Sequence, residues 1–448
     1  MIQALLDYYK IPSDTMRDFD ISADSSSGEA GFFQFSGTTC YGRCKIGAAA
    51  HVSGSTNFDA SKCVHQNGHG LHLPFDFNEV IRNLRLERYH SKDQTGFETF
   101  ASSEFVRKFY YLIRKSLPFQ IRRQLQRLYF REWRQIIFPA WPVDLTVDAL
   151  HEELLRLWME AGRIKKLPFI WFWPEGASNC LVITHDVETV AGRDFTFELM
   201  DLDDVYGFKA AYQVIPEERY NVPDDYIRRI RSRGCEFNIH DLNHDGRLYA
   251  KRSEFTRRAS SINDYGHRYN SRGFRAGAMY RRQDWYDVFD FEYDMSVPNV
   301  AHLEPLRGGC CTVMPYFIGK ILELPLTTAQ DYSLFHILND YSIDLWMQQM
   351  AFIKKKHGLI SFLTHPDYLI EARARRVYEN LLNQLRQTVV AEKMWETLPG
   401  SVNEWWRARN QMRLVSCGES WKIEGPESEK ARLAFASVEN GQVLYSFG

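Results

Sequence analysis

Residues 180–188 read CLVITHDVE, and the fold prediction rests first on these residues. Its apolar first half is typical of a strand buried on both faces. Its polar second half is typical of a strand end that carries ionisable side chains. Similar stretches follow along the chain, and helix-like sequence separates most of them. The other strand candidates are KAAYQVIP (209–216), EFNIHDL (236–242), SRGFRAG (271–277), YDMSVP (293–298), ILELPL (321–326) and LISFLTH (359–365).

Apolar strands that alternate with helices indicate a parallel sheet covered by helices. Helices are predicted at 195–206, 223–233, 247–264, 336–356 and 371–392. About seven such units over about 240 residues approach the size of a closed α/β barrel. We therefore predict that residues 171–410 form an α/β barrel.

The flanks of this region predict two further parts. Residues 1–170 are expected to form an accessory region with mixed α+β character, partly β at first and helical later. Residues 411–448 predict a β-hairpin tail, because Asn440-Gly441 between RLAFASV and QVLYSF is typical of a tight hairpin turn.

Composition restricts the class of protein. The 448 residues include 30 Phe, 23 Tyr and 11 Trp, which excludes a mainly disordered chain. A net charge of −2 argues against a dedicated nucleic-acid binder, so no nucleic-acid partner is expected. No apolar run reaches the roughly 18 residues of a membrane span, and the first residues lack the features of a signal peptide. Eight cysteines are too few for a disulfide framework, so we expect a cytoplasmic protein.

The charge of the segment 104–137 differs from the net charge of the whole chain. The segment contains nine Lys or Arg and two Glu, a local charge of +7, and its apolar residues recur at helical spacing on both sides of Pro118. Two basic amphipathic helices are predicted. They could form a solvated face over a core. The alternative is a peripheral membrane surface, since Phe109, Phe130 and Trp133 lie among the basic residues.

Three of the predicted strands end in groups that can bind a metal ion or move protons. The first ends at Asp186 and Glu188, the third at His240 and His244, and the last at His365. The carboxyl ends of parallel strands meet at one edge of a sheet, where sites form. Two His and one carboxylate are the ligand set of a catalytic Zn²⁺ or a similar ion. The remaining carboxylate and His are candidates for a general base and a general acid.

The spacing HxxxH is weak by itself, because His65 and His69 have it too in a Gly-rich stretch. That stretch invites a second metal hypothesis, with Cys40, Cys44 and Cys63 as ligands. Their spacing does not match a structural zinc pattern well. The second hypothesis therefore stays a minor alternative.

Five motifs in a fixed order lead to a family resemblance. They are Thr184-His185-Asp186-Val187-Glu188, His240 to His244, Arg272-Gly273-Phe274-Arg275-Ala276-Gly277, Asp294 in YDMSVP, and Leu363-Thr364-His365. With them, the region from about 171 to 410 resembles the polysaccharide deacetylase family, the NodB-homology group of carbohydrate esterases. Members of this family have a distorted (β/α) barrel and remove acetyl groups from sugars with a divalent metal ion.

The resemblance implies a role for each matching residue. Glu188, His240 and His244 would hold the metal ion, with zinc favoured, and Asp186 would be the base that activates water. His365 would be the acid. Arg275 would pair with Asp186, and Asp294 would orient the His365 ring.

Two departures from the family pattern concern the details of the site. Val187 separates Asp186 from Glu188, whereas many members have two adjacent aspartates. Gly277 replaces the Pro that usually closes the third motif.

The resulting functional prediction is a metal-dependent hydrolase that removes an acetyl group, N-acetyl favoured, from a carbohydrate or glycolipid intermediate of surface-polysaccharide metabolism. A lipid-linked glycan would account for a peripheral position at the inner face of the membrane through 104–137. One alternative is an amidohydrolase for a small cyclic or other non-acetyl amide. The other is a catalytically lapsed glycan-binding or assembly protein that keeps the barrel as a scaffold.

Overall fold

The computed structural model describes residues 3–12, 20–23, 28–51, 58–67, 70–90, 130–418 and 420–448. The chain divides into two compact units. The first comprises Met1–Tyr89, Asp144–Ser178 and Glu404–Gly448, and the second comprises His90–Val143 and Asn179–Asn403. The predicted division into accessory region, barrel and tail stays a prediction.

The first unit contains small sheets and a few helices. Its elements are α1 (Gln3–Tyr9), β1 (Asp20–Ala23), β2 (Gly31–Phe35), β3 (Thr38–Gly42), β4 (His65–Asn67), β5 (Gly70–Leu73), α2 (Phe77–Arg85), α3 (Thr146–Ala161), β6 (Leu167–Ile170), β16 (Arg413–Cys417), β17 (Ser420–Glu424), β18 (Leu433–Glu439) and β19 (Gln442–Phe447). The strands pair as β1-β5-β4, β2-β3, β16-β17 and β19-β18-β6. The predicted C-terminal hairpin is confirmed: Glu439 pairs with Gln442, and Asn440 and Gly441 have φ of 50° and 75° in the turn.

The second unit is built on one curled sheet. Its elements are β7 (Cys180–Val187), α4 (Val190–Val205), β8 (Ala211–Val214), α5 (Asp224–Ser232), β9 (Glu236–His240), α6 (Arg252–Tyr269), β10 (Gly273–Arg275), β11 (Tyr293–Asp294), β12 (Tyr316–Ile318), β13 (Ile321–Glu323), α7 (Asp344–Lys354), β14 (Leu359–Thr364), α8 (Pro366–Leu369), α9 (Ala372–Glu392) and β15 (Trp395–Glu396). A further helix, α10 (Pro399–Gln411), continues from this unit into the first.

The sheet of the second unit runs in the order β12-β13-β11-β10-β9-β8-β7-β14, and β15 also pairs with β7. All pairs are parallel except β12 with β13. The predicted distorted α/β barrel is therefore confirmed, and each of the seven predicted strands contains a strand of this sheet. The sequence prediction did not include β12, which joins β13 through a two-residue turn at Gly319, with φ of 58°.

The two ends of the curled sheet are linked by side chains. Thr327 Oγ1 donates a 2.8 Å hydrogen bond to the carbonyl of Leu359, and Thr328 Oγ1 donates one of 2.8 Å to the carbonyl of Ser361. Both acceptors belong to β14. These bonds hold the segment after β13 beside β14 and bring the strand ends together around one centre.

The interior of the curled sheet is packed, as the apolar sequence of its strands predicts. All eight residues of β7 are buried, which explains why its sequence does not alternate between apolar and polar residues. Gly273 in β10 is required by close packing, because a Cβ there would lie 2.3 Å from the ring of Tyr293. The Tyr293 hydroxyl donates a 3.1 Å hydrogen bond to Asn238 Oδ1 within this interior.

Residues 104–129 of the predicted basic helices lie outside the described part of the chain. Of the rest, Phe130 is buried in a cluster with Leu303 and Ile337, and Trp133 packs against that cluster. These two aromatic residues therefore contact protein. Among the described residues, no helix is long and apolar enough to cross a membrane.

Candidate active site

Four strand-end side chains surround Glu188, which follows β7. Oε1 of Glu188 lies 2.9 Å from Nε2 of His244, 3.7 Å from Nε2 of His240 and 3.7 Å from Nε2 of His365. Oδ2 of Asp186 lies 3.6 Å from Nε2 of His240. The structure thus brings together the five residues that the sequence placed at the ends of three strands. This follows from the parallel sheet, in which β7 lies between β14 and β8, and β9 comes next.

Glu188, His240 and His244 form a group that could hold a metal ion. One ligand atom from each lies within 4.8 Å of the others. Nε2 of His240 and Nε2 of His244 are both buried, and both lie near the Glu188 carboxylate, at 3.7 and 2.9 Å from its Oε1. Nδ1 of His240 lies 3.2 Å from the carbonyl of Arg275, so an Nδ1–H can donate there and leave the Nε2 lone pair facing Glu188. Two buried imidazole nitrogens that converge with one carboxylate fit a divalent ion.

The charge of Glu188 is suited to this role. Burial raises the pKa of Glu188, but the positive charge of His244 and hydrogen bonding to His240 outweigh burial and hold this pKa well below its ordinary value. The carboxylate is therefore ionised at neutral pH. An ionised carboxylate is the form that binds a metal ion.

The loop that presents His244 has an uncommon backbone. Asp241 and His244 have φ of 55° and 54°, a region that non-glycine residues rarely adopt. A Cβ on Gly277 would lie 2.5 Å from Oδ2 of Asp241 and 2.7 Å from Cδ2 of His244. The glycine that departs from the family pattern therefore makes room for the His244 ring. Arg219 holds the loop from the other side, because it donates to the carbonyls of Asn243 (3.1 Å) and His244 (2.6 Å).

Asp186 is held by Arg275. Nη1 of Arg275 donates to Oδ1 of Asp186 at 2.8 Å and to Oγ1 of Thr184 at 2.9 Å, and Nε donates to the carbonyl of Met295 at 3.0 Å. Burial raises the pKa of Asp186, but the charges of Arg275 and His240 outweigh it and lower the pKa below its ordinary value. The carboxylate is thus ionised and fixed in direction, as a base must be.

His365 is held by Asp331, a residue that sequence reasoning missed. Nδ1 of His365 lies 2.6 Å from Oδ1 of Asp331, and the backbone N–H of His365 donates to Oδ2 of Asp331 at 2.7 Å. Burial alone would lower the pKa of His365, but Asp331 and, to a smaller extent, Glu188 and Asp186 raise it to about 10. His365 is therefore protonated at neutral pH. The signal for Asp331 is its position a few residues after the predicted strand 321–326, at the same edge as the other groups.

Asp294, which the resemblance assigned to His365, lies elsewhere. Oδ1 of Asp294 accepts hydrogen bonds from the Tyr286 hydroxyl (3.0 Å) and the Ser296 N–H (2.9 Å). Asp294 is paired in register with Phe274, and paired residues of parallel strands share a face. Arg275 follows Phe274 and therefore points to the opposite face, toward Asp186. Asp294 is thus on the wrong side of the sheet to orient His365.

The alternative cysteine and histidine group does not assemble within the described part of the chain. Glu188, His240 and His244 are the one set of three candidate ligands found there. His69 lies outside the described residues. Cys40 is fully buried, and burial raises the pKa of its thiol well above the ordinary value, so this thiol is not a prepared metal ligand.

Some solved structures are similar to this chain at low sequence identity. No protein-family sequence model matches the chain, and no curated protein matches its sequence. Similar solved structures include a Mycobacterium smegmatis protein assigned as a polysaccharide deacetylase, with 16% identity, TM-score 0.43, and coverage of 56% of this chain and 98% of that one. Peptidoglycan deacetylase PdaC from Bacillus subtilis has 11% identity, TM-score 0.33, and coverage of 51% and 91%. A family 4 carbohydrate esterase from Streptomyces lividans has 11% identity, TM-score 0.30, and coverage of 49% and 92%.

Proposed function

We propose that this protein is a metal-dependent carbohydrate deacetylase. The observation that supports the proposal is the arrangement around Glu188: two His and one carboxylate as ligands, an ionised Asp186 beside them, and a protonated His365 opposite. A base and an acid thus coexist at one pH because Arg275 and Asp331 shift their pKa values in opposite directions.

Glu188, His240 and His244 would hold the metal ion. When bound, a divalent ion such as Zn²⁺ would supply Lewis acidity for the acyl oxygen and for water. The chain's own contribution is a set of three ligand side chains already brought together, with Glu188 ionised, and a loop fixed by Arg219 and Gly277.

Asp186 and His365 would move the protons. Asp186 would accept a proton from the attacking water at its Oδ2, the oxygen that Arg275 does not engage. His365 would donate the proton on Nε2 to the leaving group, while Asp331 keeps Nδ1 engaged. An amine needs a proton before it can leave, and a firmly held imidazolium supplies one. This favours N-acetyl over O-acetyl substrates.

The substrate proposed is an acetylated sugar in surface-polysaccharide metabolism, with a lipid-linked glycan as the specific form. Acetate release from N-acetylated sugars, O-acetylated sugars and small cyclic amides, measured side by side with zinc-loaded protein, tests this proposal. Release from the N-acetylated sugar is expected. Turnover of the cyclic amide alone would favour the amidohydrolase alternative, and failure to bind any divalent ion would favour the lapsed protein.

Contact with the inner face of a membrane is proposed for the basic segment 104–137, whose local charge is +7. Phe130 and Trp133 pack in the cluster with Leu303 and Ile337, so these two rings do not support the proposal. The positive charge of the segment is the stronger argument for membrane contact. Vesicle pelleting tests it. Preference for anionic over neutral vesicles is expected, and equal binding to both would contradict the proposal.

A further inference from the structure

Gln213 lies in the floor of the candidate site. It belongs to β8, which the sheet places between β7 and β9. Gln213 is paired in register with Asp186 on one side and with Asn238 on the other. Paired residues of parallel strands share a face, and neighbouring strands lie about 4.8 Å apart. Gln213 therefore faces the same interior as Asp186, in the adjacent strand, and its side chain is fully buried.

Two side chains that contact Asp186 extend across the strand that contains Gln213. His240 reaches Asp186 from β9, and Arg275 reaches it from β10, so both must span β8. The Asp186 carboxylate, the Arg275 guanidinium and the His240 ring consequently lie over the inner face of β8. Gln213 is the polar side chain that β8 presents to them at the register level of Asp186.

Polar atoms in this region lack partners. Nε2 and Oε1 of Gln213 and Nη2 of Arg275 are buried and make no hydrogen bond with any described residue. Asn238, one strand further in the same layer, has hydrogen-bond partners at both ends of its amide. Its Nδ2 donates to Glu236, and its Oδ1 accepts from Gly273 and Tyr293. Buried amides and guanidinium groups are rarely left without hydrogen bonds.

We propose that Gln213 and Arg275 hold one buried water molecule below Asp186, and that Gln213 is a positioning residue for this base. A water needs two to four polar partners, which the Gln213 amide, Nη2 of Arg275 and the Asp186 carboxylate can supply. Arg275 already donates a hydrogen bond to Oδ1 of Asp186. A second hydrogen bond, from the water, would prevent the carboxylate from rotating about that contact. The catalytic part of this inference rests on the proposed deacetylase function, and the water itself does not.

A high-resolution crystal structure of the full chain tests the water. Density for a single water within hydrogen-bond distance of Gln213 and Arg275 is expected in the wild type. Its loss is expected in Gln213→Met, which keeps the length of the side chain and removes both polar atoms. Well-ordered wild-type side chains with no water between them would overturn the proposal, whether or not the protein has activity.

Kinetics of acetate release test the positioning role. Gln213→Met is expected to lower kcat about 10- to 100-fold and to leave KM and zinc affinity nearly unchanged, the usual effect of losing an outer-shell partner. Gln213→Asn should recover part of the loss, because a shorter amide can still bind the water. If the Met variant does not fold, Gln213→Leu takes its place.

The control is Gln349→Leu, which removes another buried glutamine. The Gln349 amide donates to the carbonyl of Pro142 and accepts from the N–H of Ala329, so its loss should affect stability and not kcat. A Gln213→Met variant with wild-type kcat would overturn the positioning role. A wild type that releases no acetate from any sugar would instead overturn the proposed function, and the crystal structure would still decide the water.

Discussion

Replacing Asp331 with Asn should displace the basic limb of the pH–rate profile. Asp331 makes the largest contribution, with smaller ones from Glu188 and Asp186, to raising the pKa of His365 from 6.5 to about 10 against the effect of burial. A difference of this size corresponds to roughly 5 kcal/mol between the two protonation states. The Asp331→Asn substitution retains the shape of the carboxylate and removes its negative charge. The buried His365 should then lose its proton at a lower pH.

The assay is kcat/KM for acetate release with zinc-loaded protein, measured from about pH 5 to about pH 11 so that both limbs of the profile are covered. A bound metal ion would lower the pKa of His365 in the wild type and in the variant alike, so the predicted quantity is the displacement between their basic limbs. A downward displacement of about two pH units or more is expected, which reduces kcat/KM on that limb about 100-fold.

The control for this prediction is Asp294→Asn. Asp294 contacts Tyr286 and Ser296 on the other face of the sheet, so the basic limb of this variant should match the wild type. An unchanged limb in Asp331→Asn, or an equal displacement in Asp294→Asn, would refute the assignment of Asp331 as the partner of His365.

The sequence was sufficient to predict the residues that lie directly at the strand ends. Asp186, His240 and His365 follow apolar runs, and the parallel arrangement of those runs places their ends at one edge. Glu188 and His244 follow within a few residues. For these five side chains, local pattern and topology point to the same place.

Asp331 could not be identified in this way. It lies at the start of the short helical segment that follows β13 and Thr328, and its approach to His365 depends on the bonds from Thr327 and Thr328 to β14. Asp294 was misplaced because a strand of two residues gives no alternation from which to read its face. The first unit was also beyond prediction, since it joins three segments that are far apart in the chain.

Three further perturbations follow from the same structure. Gly277→Ala should weaken zinc binding about 10- to 100-fold in a calorimetric titration, because the added Cβ would displace the His244 ring; wild-type affinity would contradict this reasoning. Arg219→Ala should also lower the zinc affinity, because it removes the hydrogen bond to the carbonyl of His244. Arg219→Lys should recover part of the lost affinity. Equal zinc affinity in the wild type and both variants would exclude a role for Arg219. Burial raises the pKa of Glu304 from 4.5 to about 7. The folded state therefore prefers the protonated side chain, and the free energy of unfolding falls as the pH rises from about 4.5 through 7. Glu304→Gln should therefore raise the free energy of unfolding at pH 8 by about 2–3 kcal/mol and change it little at pH 4, and a denaturant titration with equal effects at both pH values would contradict this.

Zinc binding shows directly whether the three candidate ligands act together. We expect that the purified full chain, stripped with a chelator and titrated with zinc in a calorimeter, binds one ion per chain at the group formed by Glu188, His240 and His244. The double variant His240→Ala/His244→Ala should remain folded by circular dichroism and bind none at this site. Equal zinc binding by the wild type and the folded double variant, or no binding by the wild type, would show that this group is not a metal site.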